Sequence, residues 1–149
     1  MKKAIGMLSV LLLVFLMVSC GTTQADIDNE FRGVYDKYQG DIILDGAQTY
    51  TVAQGDTLSK IANHRYGAGH GYFFPLIMLA SSNVVLDPDL IEPGMQLTIP
   101  DLQANLDNPT ARGKIKLFLL DIAGIYERKG DDPRSVRLKE ELTKLSESL

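Results

Sequence analysis

The chain is 149 residues long, 45% apolar and 23% charged, which gives room for one modest core, or for one small module with extra helices, and excludes a disordered chain or a large enzyme. Its formal charge is −4, and loss of a leader carrying Lys2 and Lys3 makes it more acidic still. A phosphate backbone requires clustered Lys and Arg to release counterions, so nucleic acid is not an expected partner.

Two lysines precede an apolar run from Ala4 to Val18. A membrane span needs about 20 residues, and this shorter run fits the apolar region of a secretory leader. Cys20 follows at once and is the only cysteine, so the exported chain forms no internal disulfide. Three readings are open: an ordinary leader with an incidental thiol, an uncleaved anchor helix, and a lipidated cysteine. Only the last accounts for the thiol's position. Met17-Val18-Ser19-Cys20 resembles a bacterial lipobox, with Met17 where Leu is commonest. That resemblance implies a signal peptide at residues 1–19, cleavage before Cys20, and a lipidated Cys with a short linker at 20–25. Acyl chains contribute about 0.8 kcal/mol per buried CH₂, enough in combination to hold the protein on a bilayer facing the periplasm. Gly21 lacks the Asp that retains enteric lipoproteins at the inner membrane, which favours the outer membrane.

Residues 26–49 are expected to form a helix followed by a β extension. Ile27, Phe31, Val34 and Tyr38 recur at i, i+4, i+7 and i+11, with Asp26 as N-cap and Gly40 as stop. After them, D-I-I-L-D-G-A-Q-T-Y-T-V sets two β-prone runs around Asp45-Gly46, the composition of a two-residue hairpin turn.

From Tyr50 the β-like Y-T-V-A-Q runs through Gly55-Asp56-Thr57 into helical spacing, with Leu58, Ile61 and Ala62 on one face and Gly67 closing the helix. Pro75 fits the first turn of a second helix reaching about Ser82. The turn-rich D-P-D-L-I-E-P-G then leads into the strand M-Q-L-T-I-P. Strand, helix, helix, strand predicts an antiparallel pair with both helices on one face, a compact α+β unit.

The strings Y-T-V-x-x-G-D-T-L-x-x-I-A at 50–62, Y-G at 66–67 and D-P-D-L-I-x-P-G-x-x-L-x-I-P at 87–100 resemble the LysM domain. The resemblance covers residues 50–100 and implies a βααβ module that binds N-acetylglucosamine polymers such as peptidoglycan and chitin. It further implies a shallow groove with Gly55, Asp56, Thr57 and Leu58 on one side and Asp87, Pro88, Leu90 and Ile91 on the other. Ser81 stands where such modules commonly carry Asn, and Phe74 where some carry Trp. The residues themselves agree with a neutral ligand: a phosphate loop needs several glycines and a Lys, and this corner has one Gly and an acidic Asp56. The same residues also have local roles, with Asp56 or Thr57 capping the helix, Gly55 permitting the turn and Asp87, Pro88 and Pro93 shaping a loop.

No cofactor or metal is expected. Gly67, Gly69 and Gly71 follow a helix rather than a strand, which rules out a dinucleotide fingerprint. His64 and His70 read as exposed polar residues, and Asp87, Asp89 and Glu92 lack the pattern of a calcium loop.

Residues 101–149 read as a helical hairpin. Asn108-Pro109 starts a helix with the stripe Ile115, Phe118, Leu119, Ile122 and Tyr126, and Asp132-Pro133 starts another with Leu138, Leu142, Leu145 and Leu149. A lone helix pair cannot bury two such faces, so it is expected to pack on the module or on the first helix, with a protein partner as the alternative. The fold expected is α+β, a LysM module flanked by an N-terminal helix and β-hairpin and by a C-terminal αα-hairpin. The function expected is a non-catalytic lipoprotein linking membrane to cell wall. The alternative is an assembly protein whose C-terminal hairpin binds an envelope protein while the module serves as scaffold. An enzyme is disfavoured because no Cys/His or Ser/His/Asp set stands out and little chain lies beyond the module.

Overall fold

The computed structural model describes residues 23–149. The signal-peptide and Cys20 expectations therefore lie outside the described residues. Thr23 opens helix α1 (Gln24–Tyr38) through a capping box, its hydroxyl accepting from the Asp26 N–H at 3.2 Å while the Asp26 carboxylate accepts from the Thr23 N–H at 3.0 Å. Asp26 is thus the third helical residue and not the expected N-cap, because Thr23 supplies a hydroxyl earlier in the chain. Gln39 is the C-cap, and Gly40 follows at the expected stop position. The buried stripe is Ile27, Phe31, Tyr35 and Tyr38; Tyr35 takes the place expected of Val34, which is only half-buried. Its hydroxyl donates to the Leu86 carbonyl at 3.2 Å, so the ring enters the interior with its polar tip satisfied.

The expected hairpin around Asp45-Gly46 does not form. Ala47 N–H donates to Leu44 C=O at 3.0 Å and Gly46 has φ 78°, but no non-glycine described residue has positive φ. The turn therefore has one left-handed residue, where the hairpin turn of this composition requires two. The backbone of Ile43 pairs with a side chain instead. Asn105, fully buried, accepts from the Ile43 N–H at 2.8 Å and donates to the Ile43 carbonyl at 2.9 Å and the Asp101 carbonyl at 2.8 Å. One amide thus does the work of an absent strand.

Strand β1 (Gln48–Thr51) pairs antiparallel with β2 (Gln96–Ile99), with Gln48 opposite Ile99 and Thr51 opposite Gln96. Between them lie α2 (Leu58–Tyr66), a 3₁₀ turn at Gly71–Phe73, α3 (Phe74–Ala80) and a second 3₁₀ turn at Pro88–Leu90. The α+β expectation and the strand–helix–helix–strand order hold. Every residue of α3 from Phe74 to Leu79 is buried, because the helix lies between α2, β2 and the later helices. Ser81 at its end is 1% exposed and docks the helix to the sheet: its hydroxyl accepts from the Thr98 N–H at 2.9 Å and donates to the Thr98 carbonyl at 3.3 Å.

After β2 comes a short helix the sequence reading did not anticipate, α4 (Leu102–Asp107), capped by Asp101 and carrying Asn105. Next come α5 (Pro109–Lys129) and α6 (Pro133–Ser148), capped by Asn108 and Asp132 as their Asn-Pro and Asp-Pro pairs predict. The stripe Ile115, Phe118, Leu119, Ile122 and Tyr126 is buried as expected, as are Leu138 and Leu142, while Leu145 and Leu149 are partly buried. The hairpin packs on both expected surfaces. Phe118 meets Tyr38 edge-on at 5.5 Å, Tyr126 meets Phe31 at 6.3 Å, α5 touches α3, and α6 reaches the 3₁₀ turn at Gly71. One core cluster runs through α1, the βααβ unit and the hairpin. No helix among the described residues is long and apolar enough to cross a membrane.

Candidate functional site

The Gly55 corner is built by local chemistry. Gly55 has φ 84°, a region side chains other than glycine rarely adopt. The Asp56 carboxylate folds back across the turn, accepting from the Ala53 N–H at 2.8 Å and the Tyr50 hydroxyl at 2.7 Å. The Ala53 N–H first, and then Tyr50, hold its carboxyl below the ordinary range. Lys60 Nζ donates to the Gly55 carbonyl at 3.0 Å, and the Thr57 hydroxyl caps α2 by accepting from Lys60 N–H at 3.3 Å. Gly55 and Thr57 are exposed, Asp56 is half-buried and Leu58 lies in the core.

The second expected side is held by charge. Asp87 is 3% exposed, and its carboxylate accepts from the Asp89 N–H at 2.8 Å, Gln24 Nε2 at 2.9 Å and Lys129 Nζ at 3.0 Å. Burial works against the charge, but the Asp89 N–H, the Gln24 amide and Lys129 outweigh it and leave the carboxyl below its ordinary value. Burial likewise opposes the Lys129 charge, and its hydrogen bonds to Asp87 and Asp89 overcome it, leaving the ammonium raised. Lys129 also meets Asp89 at 3.0 Å, and Asp89 in turn pairs with Arg134. Asp87 is therefore a clasp that ties the loop to α1 and to the end of α5, with both carboxylate oxygens already accepting from protein donors. Pro88 is buried, Leu90 is 57% exposed and Ile91 is half-buried.

Three of the eight expected groove residues, Thr57, Leu58 and Pro88, line one cavity of about 340 Å³; Gly55, Asp56, Asp87, Leu90 and Ile91 lie outside its lining. That volume is in the range of small-ligand sites. Ser59 and Asn63 on α2, with Tyr72 from the turn before α3 and Phe74 at the start of α3, form the wall on the βααβ side. The opposite wall comes from the C-terminal helices: Tyr126 on α5, and Arg134, Arg137 and Leu138 on α6. The cavity thus lies between the βααβ unit and the C-terminal helices and coincides with the expected groove only at Thr57, Leu58 and Pro88. Ser59 and Asn63 were within reach of the sequence, since they follow Thr57 at i+2 and i+6 on a helix whose other face is apolar. The α6 residues carried no such signal.

His64 and His70 border a separate depression of about 400 Å³ between β1, α2 and α4. His70 stacks on Phe73 at 5.9 Å between ring centres, and the described residues hold no group of three His, Cys, Asp or Glu able to take a metal ion.

Comparison with known proteins meets this geometry at the same residues. The LysM domain family matches residues 50–100. An uncharacterized protein of Deinococcus radiodurans is 47% identical over 55 residues, which cover 37% of this chain and 20% of that protein, so the likeness spans about a fifth of the relative's length. No solved structure matches the chain. A LysM domain is a binding rather than a catalytic module, and its general ligands are glycans of the peptidoglycan and chitin type. Residues 50–100, from β1 through β2, are a LysM domain.

Proposed function

We propose that this protein is a non-catalytic, peptidoglycan-binding lipoprotein of the cell envelope, anchored by an acylated Cys20, facing the periplasm and favouring the outer membrane. The observation that carries the reading is the convergence of Thr57, Leu58 and Pro88, from both ends of the LysM domain, on one cavity of ligand size. Hydroxyl and amide groups from Thr57, Ser59 and Asn63 suit an acetamido group, and the Leu58, Tyr72 and Phe74 surfaces suit a sugar face. Leu90 and Ile91, two and three residues after Pro88, add partly exposed apolar surface outside the cavity lining. The wall-binding reading takes precedence over the assembly reading because the apolar stripes of α5 and α6 are used inside the molecule, against α1, α3 and each other.

The anchor keeps the site near the bilayer. Three residues lie between Cys20 and Gln24, four Cα steps with a reach of at most about 14 Å, and Gln24 is itself hydrogen-bonded to Asp87 in the loop beside the cavity. The proposal is a short clamp between membrane and wall rather than a long tether.

The test is co-sedimentation of purified protein with isolated peptidoglycan, with N-acetylglucosamine oligomers as competitor. Wild type should pellet and be released by the oligomer. The pair Gly55→Val and Ile91→Asp should stay in the supernatant with an unchanged circular dichroism spectrum, one blocking the corner conformation and the other charging that apolar surface. Equal pelleting by the folded double variant would remove the Gly55 corner and Ile91 from the contact surface.

A further inference from the structure

We propose that the cavity between the LysM domain and the C-terminal helices selects glycans bearing a carboxylate over uncharged N-acetylglucosamine polymers, and that Arg137 with Tyr126 reads that acidic group. The inference rests on the wall-binding reading and adds the class of glycan to it.

The charge of the lining is the first observation. In a chain of net charge −4, the cavity wall includes Arg134 and Arg137 and no Asp or Glu. Arg134 is paired with Asp89, whereas Arg137 is exposed and has no carboxylate partner among the described residues. A guanidinium beside a cavity with no acid in its lining is matched to an anionic ligand group, which it meets with two parallel N–H donors.

Tyr126 supplies the second. The residue is 1% exposed and lines the cavity, yet its hydroxyl has no hydrogen-bond partner among the described residues. Buried hydroxyls are paired in the great majority of cases, and this one, enclosed behind the cavity wall, is a donor left without an acceptor. Both groups belong to the C-terminal helices, outside the LysM domain. The hairpin therefore adds specificity to a module whose own lining, Thr57, Ser59 and Asn63, is uncharged.

Peptidoglycan carries this chemistry in two places: the lactyl carboxylate of muramic acid where no peptide is attached, and the free carboxylates of the stem peptide. Titration of the full-length protein in detergent with three size-matched tetrasaccharides separates them. One is the all-N-acetylglucosamine oligomer, one alternates N-acetylglucosamine with muramic acid bearing free lactyl groups, and one carries stem peptides with free carboxylates. At low salt at least one carboxylate-bearing ligand should bind about tenfold tighter than the neutral one, equivalent to about 1.4 kcal/mol. Which ligand gains, lactyl or peptide, identifies the source, and either supports the proposal. Arg137→Gln should bring the charged-to-neutral affinity ratio close to one, and Arg137→Lys should restore part of it. Tyr126→Phe should weaken binding several-fold without lowering the melting temperature, since an unpaired hydroxyl contributes nothing to the fold. Equal affinity for neutral and charged oligomers, or a preference that survives Arg137→Gln, overturns the carboxylate proposal while leaving the wall-binding reading intact. Failure of wild type to bind any of the three overturns both.

Discussion

Replacing Asp87 with Ala separates two roles for one residue, since the LysM resemblance places it in the glycan groove and its geometry makes it a clasp. Its carboxylate is 3% exposed and accepts one ammonium, one side-chain amide and one backbone N–H. A hydrogen bond to a charged group contributes about 1.5–3 kcal/mol and a neutral one about 0.5–1.5. Lys129 keeps its contact with Asp89, and Gln24 can return to water, which limits the loss. The net expectation is a destabilisation of roughly 3 kcal/mol, or roughly 10 °C in Tm for a domain of this size. The pH dependence has a definite sign. The folded-state pKa of Asp87 is lowered, so its share is fully present above about pH 4 and lost as pH falls through the folded value; that of Lys129 is raised, so its share is full below about pH 10 and lost above it. Wild type and Asp87→Ala should therefore differ by a constant amount near neutrality and converge toward acid. Urea denaturation from pH 3 to 8, with glycan titration on the same samples, reads both quantities. Unchanged stability with lost glycan binding would refute the clasp and return Asp87 to the ligand.

Asn105→Ala should cost roughly 2–3 kcal/mol in urea denaturation, because it leaves the N–H and C=O of Ile43 without their buried partner; a loss under about 0.5 kcal/mol would mean that water replaces the amide. Gly71→Ala puts a methyl 2.9 Å from Asn63 Nδ2 and 3.2 Å from the Ser59 carbonyl, so it should displace the α2 wall of the cavity and weaken glycan binding several-fold with little change in circular dichroism; unaltered affinity would take Asn63 out of the contact surface. Cys20→Ser should move the protein from the membrane to the soluble fraction after a high-salt wash, and retention on membranes would rule out lipidation as the anchor.

The parts of this fold that were legible in the sequence are those set by neighbouring residues. Thr57 capping α2, Gly67 ending it, and the Asn108-Pro109 and Asp132-Pro133 starts depend on one helical turn of chain, and each stands where its residue type implies. The misreadings arise where a distant residue intervenes. Ile42-Ile43-Leu44 has β propensity, but the Asn105 amide, 62 residues away in sequence, takes up the backbone N–H and C=O of Ile43 that a strand partner would need. Tyr35 displaced Val34 from the buried stripe because the Leu86 carbonyl offers its hydroxyl a partner inside. At the site, Thr57, Leu58 and Pro88 were recoverable from the LysM pattern. Tyr126 belongs to the apolar stripe of α5, and nothing in the local sequence marks Arg134 and Arg137 as cavity residues. Only the docking of α6 beside the Gly71 turn turns them into a wall of the cavity.

In the proposed function, glycan binds in the cavity beside Thr57 and Leu58. Backbone amide NMR shifts on titration with an N-acetylglucosamine tetramer report on that contact residue by residue. Saturable shifts should concentrate at Thr57, Leu58, Ser59, Asn63 and Tyr72, with α6 amides near Arg137 responding beside them. Shifts confined to the depression around His64 and His70, or no saturable shifts at millimolar oligomer, would contradict it.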